Sequence, residues 1–391
     1  MVKINKNLKT EKTITFLDVS NIVNEYKEKH KDKQIISLGV GDTSLPIIEE
    51  IAEEMKKAVD ELTDKKTFKG YGGQFGYDFL KKEILNNDYK NKGFTNDELY
   101  ISNGTKTDIT SILELFDINS KICILGPTYP IYEDGAKCLN RKVKIIEGTE
   151  EENFIPKPPK QKYDIIYICS PNNPTGIAWT HKELENWVNY AKKNESVILY
   201  DNVYTSFITS ENKVKSIYEI DGAKEVAIEF RSFSKNASFT GVRCSYYIIP
   251  KEIGENINKI WKKRVINRFN GADYIAQRGA YKVYSKISQE KIKVNMAYYK
   301  ENAKTLKKGF EDLNFTVYGG EDSPFLWIKT KNNITSLEYF KLLLEELNIV
   351  VIPSEVFSKN KHFFRVSALA SKEAIETAIE RIKKYYEKQI I

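Results

Sequence analysis

The chain has 391 residues, which is enough for two interlocked domains and a large core without support from disulfides or metals. Its formal net charge is +7, but lysines and acids are mixed along the whole sequence, so the charge does not indicate a nucleic-acid-binding protein. Because the sequence shows neither a signal peptide nor an apolar stretch of membrane-spanning length, we expect a soluble cytoplasmic protein.

The cysteines and histidines show no spacing that is typical of a disulfide framework or a metal site. We interpret the cysteines as reduced core thiols, and we expect no metal. The residues in question are Cys123, Cys138, Cys169, Cys244, His30, His181 and His362.

The central part of the chain alternates short apolar runs with amphipathic stretches, which is the pattern of a layered α/β protein. Thr180 and Glu183 form a capping box that predicts a helix beginning just after Thr180. We therefore predict a mostly parallel central sheet with flanking helices. The predicted strands are 121–125, 142–146, 163–169, 197–200, 226–232 and 245–249.

From about Gly271 the pattern becomes that of a smaller α+β domain, which begins with a long helical region. We predict three parts: an N-terminal segment at 1–45 that packs with the small domain, a large cofactor-binding domain at 46–275, and a small C-terminal domain at 276–391. Within the small domain the predicted elements are strands at 315–318 and 325–328, a helix at 336–347, a strand at 349–352 and a final helix after Ser371.

Polar residues follow the apolar strand at 226–232, at the sheet edge where ligands bind in such folds. Lys235 can present an amine to an aldehyde and hold it as a Schiff base. The hydroxyls of Ser232 and Ser234 and the guanidinium of Arg243 suit a phosphate beside that amine. Taken alone, the motif also fits a loop with an exposed lysine.

Two other strand ends carry polar residues that suit the ring of a cofactor. Asn173 can donate its amide to a phenolate oxygen, although Asn-Pro is also an ordinary turn. Asp201 ends an apolar strand, where a carboxylate needs a partner such as a protonated pyridine nitrogen; a helix N-cap is the alternative. Tyr204 can reach the same side of the ring.

Two further motifs suit the phosphate and the ring. Residues 103–108 precede a helical pattern, so the backbone amides of Thr105 and Lys106 would point at an anion. Tyr129, in the stretch 127–132, supplies an aromatic face for stacking on a flat ring.

In this order the motifs resemble the fold-type-I aminotransferases, which use pyridoxal 5'-phosphate. Ser232 and Arg243 keep the spacing of that superfamily, three residues before and eight residues after Lys235. The resemblance narrows to LL-diaminopimelate aminotransferases and covers nearly the whole chain. The stretches that carry it are 67–72, 76–80, 232–243 and 269–272.

The resemblance implies three catalytic residues, with Lys235 as the Schiff-base lysine and Asp201 as the partner of the pyridine nitrogen. Tyr204 would contact the phenolic oxygen of the ring together with Asn173. The other implied cofactor contacts within one subunit are Thr105, Lys106, Tyr129, Ser232, Ser234 and Arg243.

The resemblance also implies how the substrates, an amino acid and a 2-oxo acid, are bound. Gly41 and Arg365 would bind the α-carboxylate, and Asn173 would lie against the substrate as well. Tyr71 and Asn270 would reach the cofactor or substrate of the neighbouring subunit. A homodimer with shared active sites follows from this resemblance.

Three departures from that family fall around the expected distal part of the substrate pocket. The family has an acidic residue near the distal ammonium of its substrate, and here that position is Gln74. Ile14 replaces a tyrosine of the family, and residues 353–364 replace its glycine-rich segment before Arg365. We therefore predict transamination with an altered distal pocket that prefers an α-amino acid with a neutral or polar tail over LL-diaminopimelate.

Other interpretations remain open from the sequence. Another pyridoxal-phosphate enzyme of the same fold, such as a β-lyase, would have the same cofactor residues. A dinucleotide-dependent oxidoreductase would use the glycines at 70–76, although their spacing does not match a nucleotide loop. A non-catalytic cofactor-binding or regulatory protein is a third alternative. Within the altered segment, Glu355 or Lys361 could restore a charged distal pocket.

Overall fold

The computed structural model describes residues 2–3, 6 and 14–388, without the side chain of Glu255. These residues form three sheets and the helices that cover them. The strands are β1 (Ile36–Ser37), β2 (Leu99–Ser102), β3 (Ile122–Gly126), β4 (Val143–Glu147), β5 (Ile165–Cys169), β6 (Val197–Asp201), β7 (Ala227–Ser232), β8 (Ser245–Ile248), β9 (Val317–Gly319), β10 (Phe325–Lys329), β11 (Ile349–Val350), β12 (Ile352–Pro353) and β13 (Phe363–Ser367).

The helices surround these sheets, with short 3-10 turns between several elements. In chain order they are α1 (Phe16–Lys29), α2 (Glu49–Thr63), α3 (Asp78–Asn87), α4 (Thr105–Ser111), α5 (Ile131–Cys138), α6 (His181–Asn194), α7 (Glu255–Arg268), α8 (Tyr274–Val283), α9 (Lys286–Glu311), α10 (Ser336–Leu347) and α11 (Lys372–Glu387). None of the helices in the described part of the chain is long and apolar enough to cross a bilayer.

The largest sheet has the strand order β2-β8-β7-β6-β5-β3-β4. Strand β8 runs antiparallel to both of its neighbours, and the other pairs are parallel. Every residue of β3 and β5 is buried, as expected for parallel strands that are covered on both faces. The predicted α/β class with a mostly parallel central sheet is confirmed, and all six predicted strands are present within two residues of their predicted bounds.

The register of the parallel strands determines where polar residues meet. Cys169 at the end of β5 pairs with Asp201 at the end of β6, and Asp201 pairs with Phe230 in β7. The chain then leaves all three strands at the same edge of the sheet. The loops that follow β5, β6 and β7 therefore lie side by side.

A second, antiparallel sheet has the order β12-β13-β10-β9 and packs with α9 and α10, and α11 packs on these two helices. The N-terminal segment reaches this part of the molecule through β1, which pairs in parallel with β11 and matches Ser37 with Val350. The division of the chain at residues 45 and 275 stays a prediction.

The capping box that predicted α6 is present, because the side chain of Thr180 accepts a hydrogen bond from the backbone of Glu183. Three boundaries differ from prediction. The long helical region divides at Ser285, which caps α9. Strand β9 begins at Val317 rather than 315, because the Phe315 amide bonds to the end of the preceding helix. The strand at 349–352 divides into β11 and β12.

The interpretation of all four cysteines as core thiols is wrong for one of them. Cys123, Cys169 and Cys244 are buried, whereas Cys138 is exposed. Cys138 is the last residue of the short helix α5, and the buried side of that helix is formed by Tyr132 and Ala136 instead.

Candidate active site

A cavity of about 690 Å³ lies where β5, β6 and β7 end. Its wall also includes residues that follow β1, residues of α1, and Arg365 of β13. Most of the predicted site residues line this cavity: Gly41, Thr105, Lys106, Tyr129, Asn173, Asp201, Tyr204, Ser232, Ser234, Lys235, Arg243 and Arg365.

Asp201 is a buried carboxylate that is only half satisfied. Its Oδ2 accepts a hydrogen bond of 2.6 Å from the hydroxyl of Tyr132. Its Oδ1 is buried and has no hydrogen-bond partner among the described residues. Burial raises the pKa of Asp201 to about 6, because a desolvated carboxylate favours its protonated form. The free oxygen is therefore poised for a cationic or N–H donor in the cavity.

Lys235 lies in the wall of the same cavity. Its Nζ donates a hydrogen bond to the carbonyl oxygen of Gly41. Burial lowers the pKa of Lys235 to about 8; Asp42 opposes that shift, while the positive charge of Arg365 adds to it. With this pKa about a tenth of the side chain is an uncharged amine at pH 7, far more than for an ordinary lysine, and a nucleophilic or proton-transferring lysine uses that form.

Arg243 and two serines form a compact set of donors beside Lys235. The Nη1 of Arg243 donates to Ser234 Oγ at 3.3 Å, and the hydroxyls of Ser232 and Ser234 lie 2.9 Å apart. Gly104 makes this arrangement possible, because a Cβ at that position would lie 2.1 Å from Nη2 of Arg243. This set of hydroxyl and guanidinium donors matches the acceptors of a phosphate.

Arg365 is a fully buried cation whose hydrogen-bond partners are neutral. It donates to Asn173 Oδ1 at 2.7 Å and to the Gly39 carbonyl oxygen at 2.6 Å, and its Nε has no hydrogen-bond partner among the described residues. The guanidinium carbon lies 4.6 Å from the ring centroid of Phe325 and 5.1 Å from that of Phe357. Burial lowers the pKa of Arg365 to about 10. Such a cation suits a carboxylate ligand, which would supply the missing negative charge.

Three predicted cofactor residues complete the cavity. Thr105, the first residue of α4, donates its hydroxyl to the Arg231 carbonyl oxygen at 3.1 Å and so ties α4 to the end of β7. Tyr204 is buried and packs against Phe325 with ring centroids 5.0 Å apart. Tyr129 lies on the cavity wall, as predicted for a residue that stacks on a flat ring.

Four predicted site residues lie outside the cavity of their own chain. Tyr71 is 91% exposed, Asn270 is exposed and Gln74 is partly exposed. They lie close together, because a Cβ on Gly271 would lie 3.5 Å from the Cα of Gln74. Ile14 is buried in the core beside the N-cap of α1 and does not line the cavity.

The altered segment at 353–364 does not bring its charged residues to the cavity either. Neither Glu355 nor Lys361 lines the cavity. The carboxylate of Glu355 accepts a hydrogen bond from the hydroxyl of Ser336, and the backbone carbonyl oxygen of Lys361 accepts one from the backbone amide of Ser336. The glycine-rich stretch at 70–76 follows a helix and not a strand, so it lacks the context of a nucleotide loop.

Sequence reasoning missed several residues that shape the site. Tyr132 was noted only as part of an aromatic stretch, although it is one helical turn after Tyr129 and holds Asp201. The contacts of Gly39 and Phe16 with Arg365 join parts of the chain that are more than 300 residues apart. Such contacts leave no local signal in a single sequence.

Comparisons with known proteins show the family and the fold of this chain. The model of the family described as "Aminotransferase class I and II" matches residues 33–382. The chain is 42% identical to an LL-diaminopimelate aminotransferase of Azobacteroides pseudotrichonymphae, covering 99% of this chain and 100% of the relative. It is 41% identical to the enzyme of the same name from Lawsonia intracellularis, covering 94% and 95%. The solved L,L-diaminopimelate aminotransferase from Chlamydomonas reinhardtii matches with a TM-score of 0.93 and 35% identity, covering 98% of this chain and 99% of that one.

Because the buried Asp201 carboxylate has no ionic partner, we predict that it lowers the free energy of unfolding in a pH-dependent way in the protein without bound cofactor. Because its pKa in the fold is about 6 and its usual value is 3.8, the charged form destabilises the fold above pH 6, and that cost disappears as pH falls below 4. We expect Asp201→Asn to raise the Tm at pH 8 and to lose this advantage near pH 4. Calorimetry of the wild-type protein and of Asp201→Asn at both pH values measures this difference in Tm.

Asp221→Asn serves as the control, since Asp221 is exposed. A wild-type protein that is more stable than Asp201→Asn at pH 8 would contradict the interpretation of Asp201 as an unpaired buried charge.

Proposed function

The chain belongs to the class I and II aminotransferases, and on that premise we propose that its cavity binds pyridoxal 5'-phosphate on Lys235 and transfers an amino group between an amino acid and a 2-oxo acid there. The observation that supports this proposal most directly is that one cavity is lined by Lys235, Asp201 and Arg243. Aminotransferases of this family use pyridoxal phosphate, and the residues present fit it.

The fit rests on complementary groups. The unpartnered Oδ1 of Asp201 suits the N–H of a protonated pyridine ring, and Arg243 with Ser232 and Ser234 suits the phosphate. Because Asn173 accepts from Arg365 through Oδ1, its amide nitrogen is left to donate towards the phenolic oxygen. Tyr129 offers an aromatic face for the ring.

The cofactor, when bound, supplies an aldehyde that accepts the amino group and a ring that withdraws electrons from the substrate carbon. The residues of the chain position the substrate beside the cofactor and transfer protons to and from it. Lys235, which is partly uncharged at neutral pH, can take a proton from the substrate Cα on its Nζ and return it. Asp201 holds the proton of the ring nitrogen in place, and Arg365 orients the α-carboxylate with Gly41 beside it.

The proposed assembly is a homodimer with shared sites. Tyr71, Asn270 and Gln74 lie together but outside the cavity of their own chain, and Tyr71 is almost fully exposed. Phe68, close to Tyr71 in the chain, is 62% exposed as well. An apolar surface of this kind next to polar residues fits burial against a second copy.

The proposed substrate specificity differs in one respect from that in the names of the relatives. Those relatives are LL-diaminopimelate aminotransferases, and LL-diaminopimelate carries a distal ammonium. Gln74 stands where the resemblance implies an acidic partner for this group, and it cannot neutralise a positive charge. We propose that amino acids without a distal ammonium are preferred.

The assignment of Lys235 predicts where the cofactor attaches and at which pH. After incubation with pyridoxal phosphate and reduction with borohydride, peptide mapping should find the adduct on Lys235. Because the uncharged amine reacts, the rate of attachment should rise with pH and level off above about 8, where an ordinary lysine would still be protonated. Lys106→Met, which changes another lysine of the same cavity, should leave the adduct on Lys235. An adduct on a different lysine would refute the assignment.

The shared-site arrangement predicts complementation between two inactive variants. Lys235→Ala and Tyr71→Phe should each be nearly inactive as homodimers. After subunit exchange, about half of the dimers are mixed and each has one intact site of two, so about a quarter of the wild-type rate should return. Mixing Lys235→Ala with Asp201→Ala is the control, because both residues line the cavity of one chain. Each site of that mixed dimer keeps one defect, so no activity should return. Demonstrated exchange without recovery for Tyr71→Phe would show that each site is self-contained.

The role of Gln74 predicts a preference between two substrates of equal length. Loss of a buried ionic partner costs about 3–5 kcal/mol, or about two to four orders of magnitude in kcat/KM. 2-Aminopimelate, which lacks the distal ammonium, should therefore exceed LL-diaminopimelate in kcat/KM, and Gln74→Glu should narrow or reverse the difference. Glutamate, aspartate and aromatic amino acids complete the panel. The highest kcat/KM for LL-diaminopimelate in the wild-type protein would contradict this proposal.

A further inference from the structure

The cavity continues past the proposed cofactor and α-carboxylate positions as a groove along α1. We call this part the α1 groove. Its wall on α1 combines two valines with two small polar residues: Val19, Val23, Ser20 and Asn24. Its other wall contains Ser37 and Val350, which pair across β1 and β11. The far end of the groove on α1 is Lys27. Because Val19, Val23 and Lys27 are spaced by four positions, they lie on one face of the helix.

The α1 groove is long compared with a short amino acid. Phe16 marks its inner end, since its ring centroid lies 5.7 Å from the guanidinium carbon of Arg365. Lys27 follows eleven residues later, and at the rise of an α-helix this places it about 16 Å further along. The side chain of aspartate or glutamate, with its α-carboxylate on Arg365, would fill only the beginning of this space.

The charges around the groove are unevenly distributed. In the described part of the chain, the carboxylates that line the cavity are Asp42 and Asp201, and neither belongs to the groove walls. Lys27 forms no ion pair with any described residue, so its charge is available to a ligand; the neighbouring Glu28 pairs with Lys31 instead. A cation without a partner at the end of a partly apolar groove is complementary to an anionic group on a long apolar tail.

We propose that the α1 groove holds an elongated aliphatic tail of the substrate and that Lys27 binds a carboxylate at its end. This inference rests on the proposed function, because it names the substrate class of the same site. The substrates are α-amino acids, and the corresponding 2-oxo acids, whose tail is long, apolar along its length and negatively charged at its end. The neutral Gln74 agrees with a tail that carries no ammonium. The positive charge comes from α1, and not from Lys361 in the altered segment.

Two eight-carbon amino acids separate the contribution of the terminal carboxylate from that of tail length. 2-Aminosuberate ends in a carboxylate, and 2-aminooctanoate ends in a methyl group. The wild-type protein should show a kcat/KM about three- to tenfold higher for 2-aminosuberate, the range expected for a charge pair that stays partly open to solvent. The difference should lie mainly in KM, because the contact is made equally before and during the reaction.

Substitutions in α1 test whether Lys27 binds the terminal carboxylate. Lys27→Met should remove the preference for 2-aminosuberate and leave kcat/KM for 2-aminooctanoate unchanged or slightly raised, and Lys27→Arg should retain it. Lys29→Met is the matched control, since Lys29 lies on the same helix but does not line the cavity. Binding gives an independent readout: the unreactive diacid suberate should raise the Tm of the wild-type holoenzyme more than octanoate does, and Lys27→Met should abolish that difference.

Glutamate separates failure of this inference from failure of the proposed function. Its short tail does not reach Lys27, so its turnover should be the same in all three variants. Turnover of glutamate together with equal kcat/KM for the two eight-carbon substrates in the wild-type protein would overturn the role of the α1 groove and leave transamination intact. A preference for 2-aminosuberate that survives in Lys27→Met would overturn the assignment to Lys27. Absence of turnover with every amino acid would instead refute the proposed function.

Discussion

Parallel pairing of β5, β6 and β7 is the constraint on which the rest of this site depends. Parallel strands end at one edge of a sheet, so the residues that follow them meet there whatever their distance along the chain. Asp201 is the last residue of its strand, Lys235 follows the end of β7 by three residues, and Asn173 follows the end of β5 by four. The largely buried strands fix these starting points, and the loops need only short extensions to reach the cavity.

Two buried charges of opposite sign then remain without ionic partners in the described chain. The carboxylate of Asp201 has a hydroxyl on one oxygen and nothing on the other, and the guanidinium of Arg365 contacts an amide, a carbonyl and aromatic rings. Their separation within the cavity keeps them from pairing with each other. Each is costly to bury in this form. A ligand that carries a positive group at one end and a carboxylate at the other would relieve both costs, which links the stability of the fold to occupation of the site.

Much of this could be predicted from one sequence because the signals are local. The strand ends and their polar residues lie within single motifs, so the central sheet and the residues around Lys235 and Asp201 follow from short-range patterns. Short strands were missed: β1 has two residues, and β13 has five with an arginine in the middle, which the resemblance assigned to the substrate carboxylate. The contact of Arg365 with Gly39 and the groove beside Lys27 depend on how distant segments pack. An exposed lysine on a helix carries no sign, in sequence alone, that it borders a cavity.

The pairing of β1 with β11 has a consequence for the way this protein is made. Ser37 leaves the ribosome early, but its partner Val350 emerges only when more than 300 further residues have been added. Until then the edge of β1 is open and the wall that contains Gly39 and Gly41 has nothing to pack against. Contacts of such sequence separation form late in folding. The nascent chain can thus assemble its central sheet during synthesis, but it can close the ligand cavity only at the end, so capture of a ligand must follow translation rather than guide it.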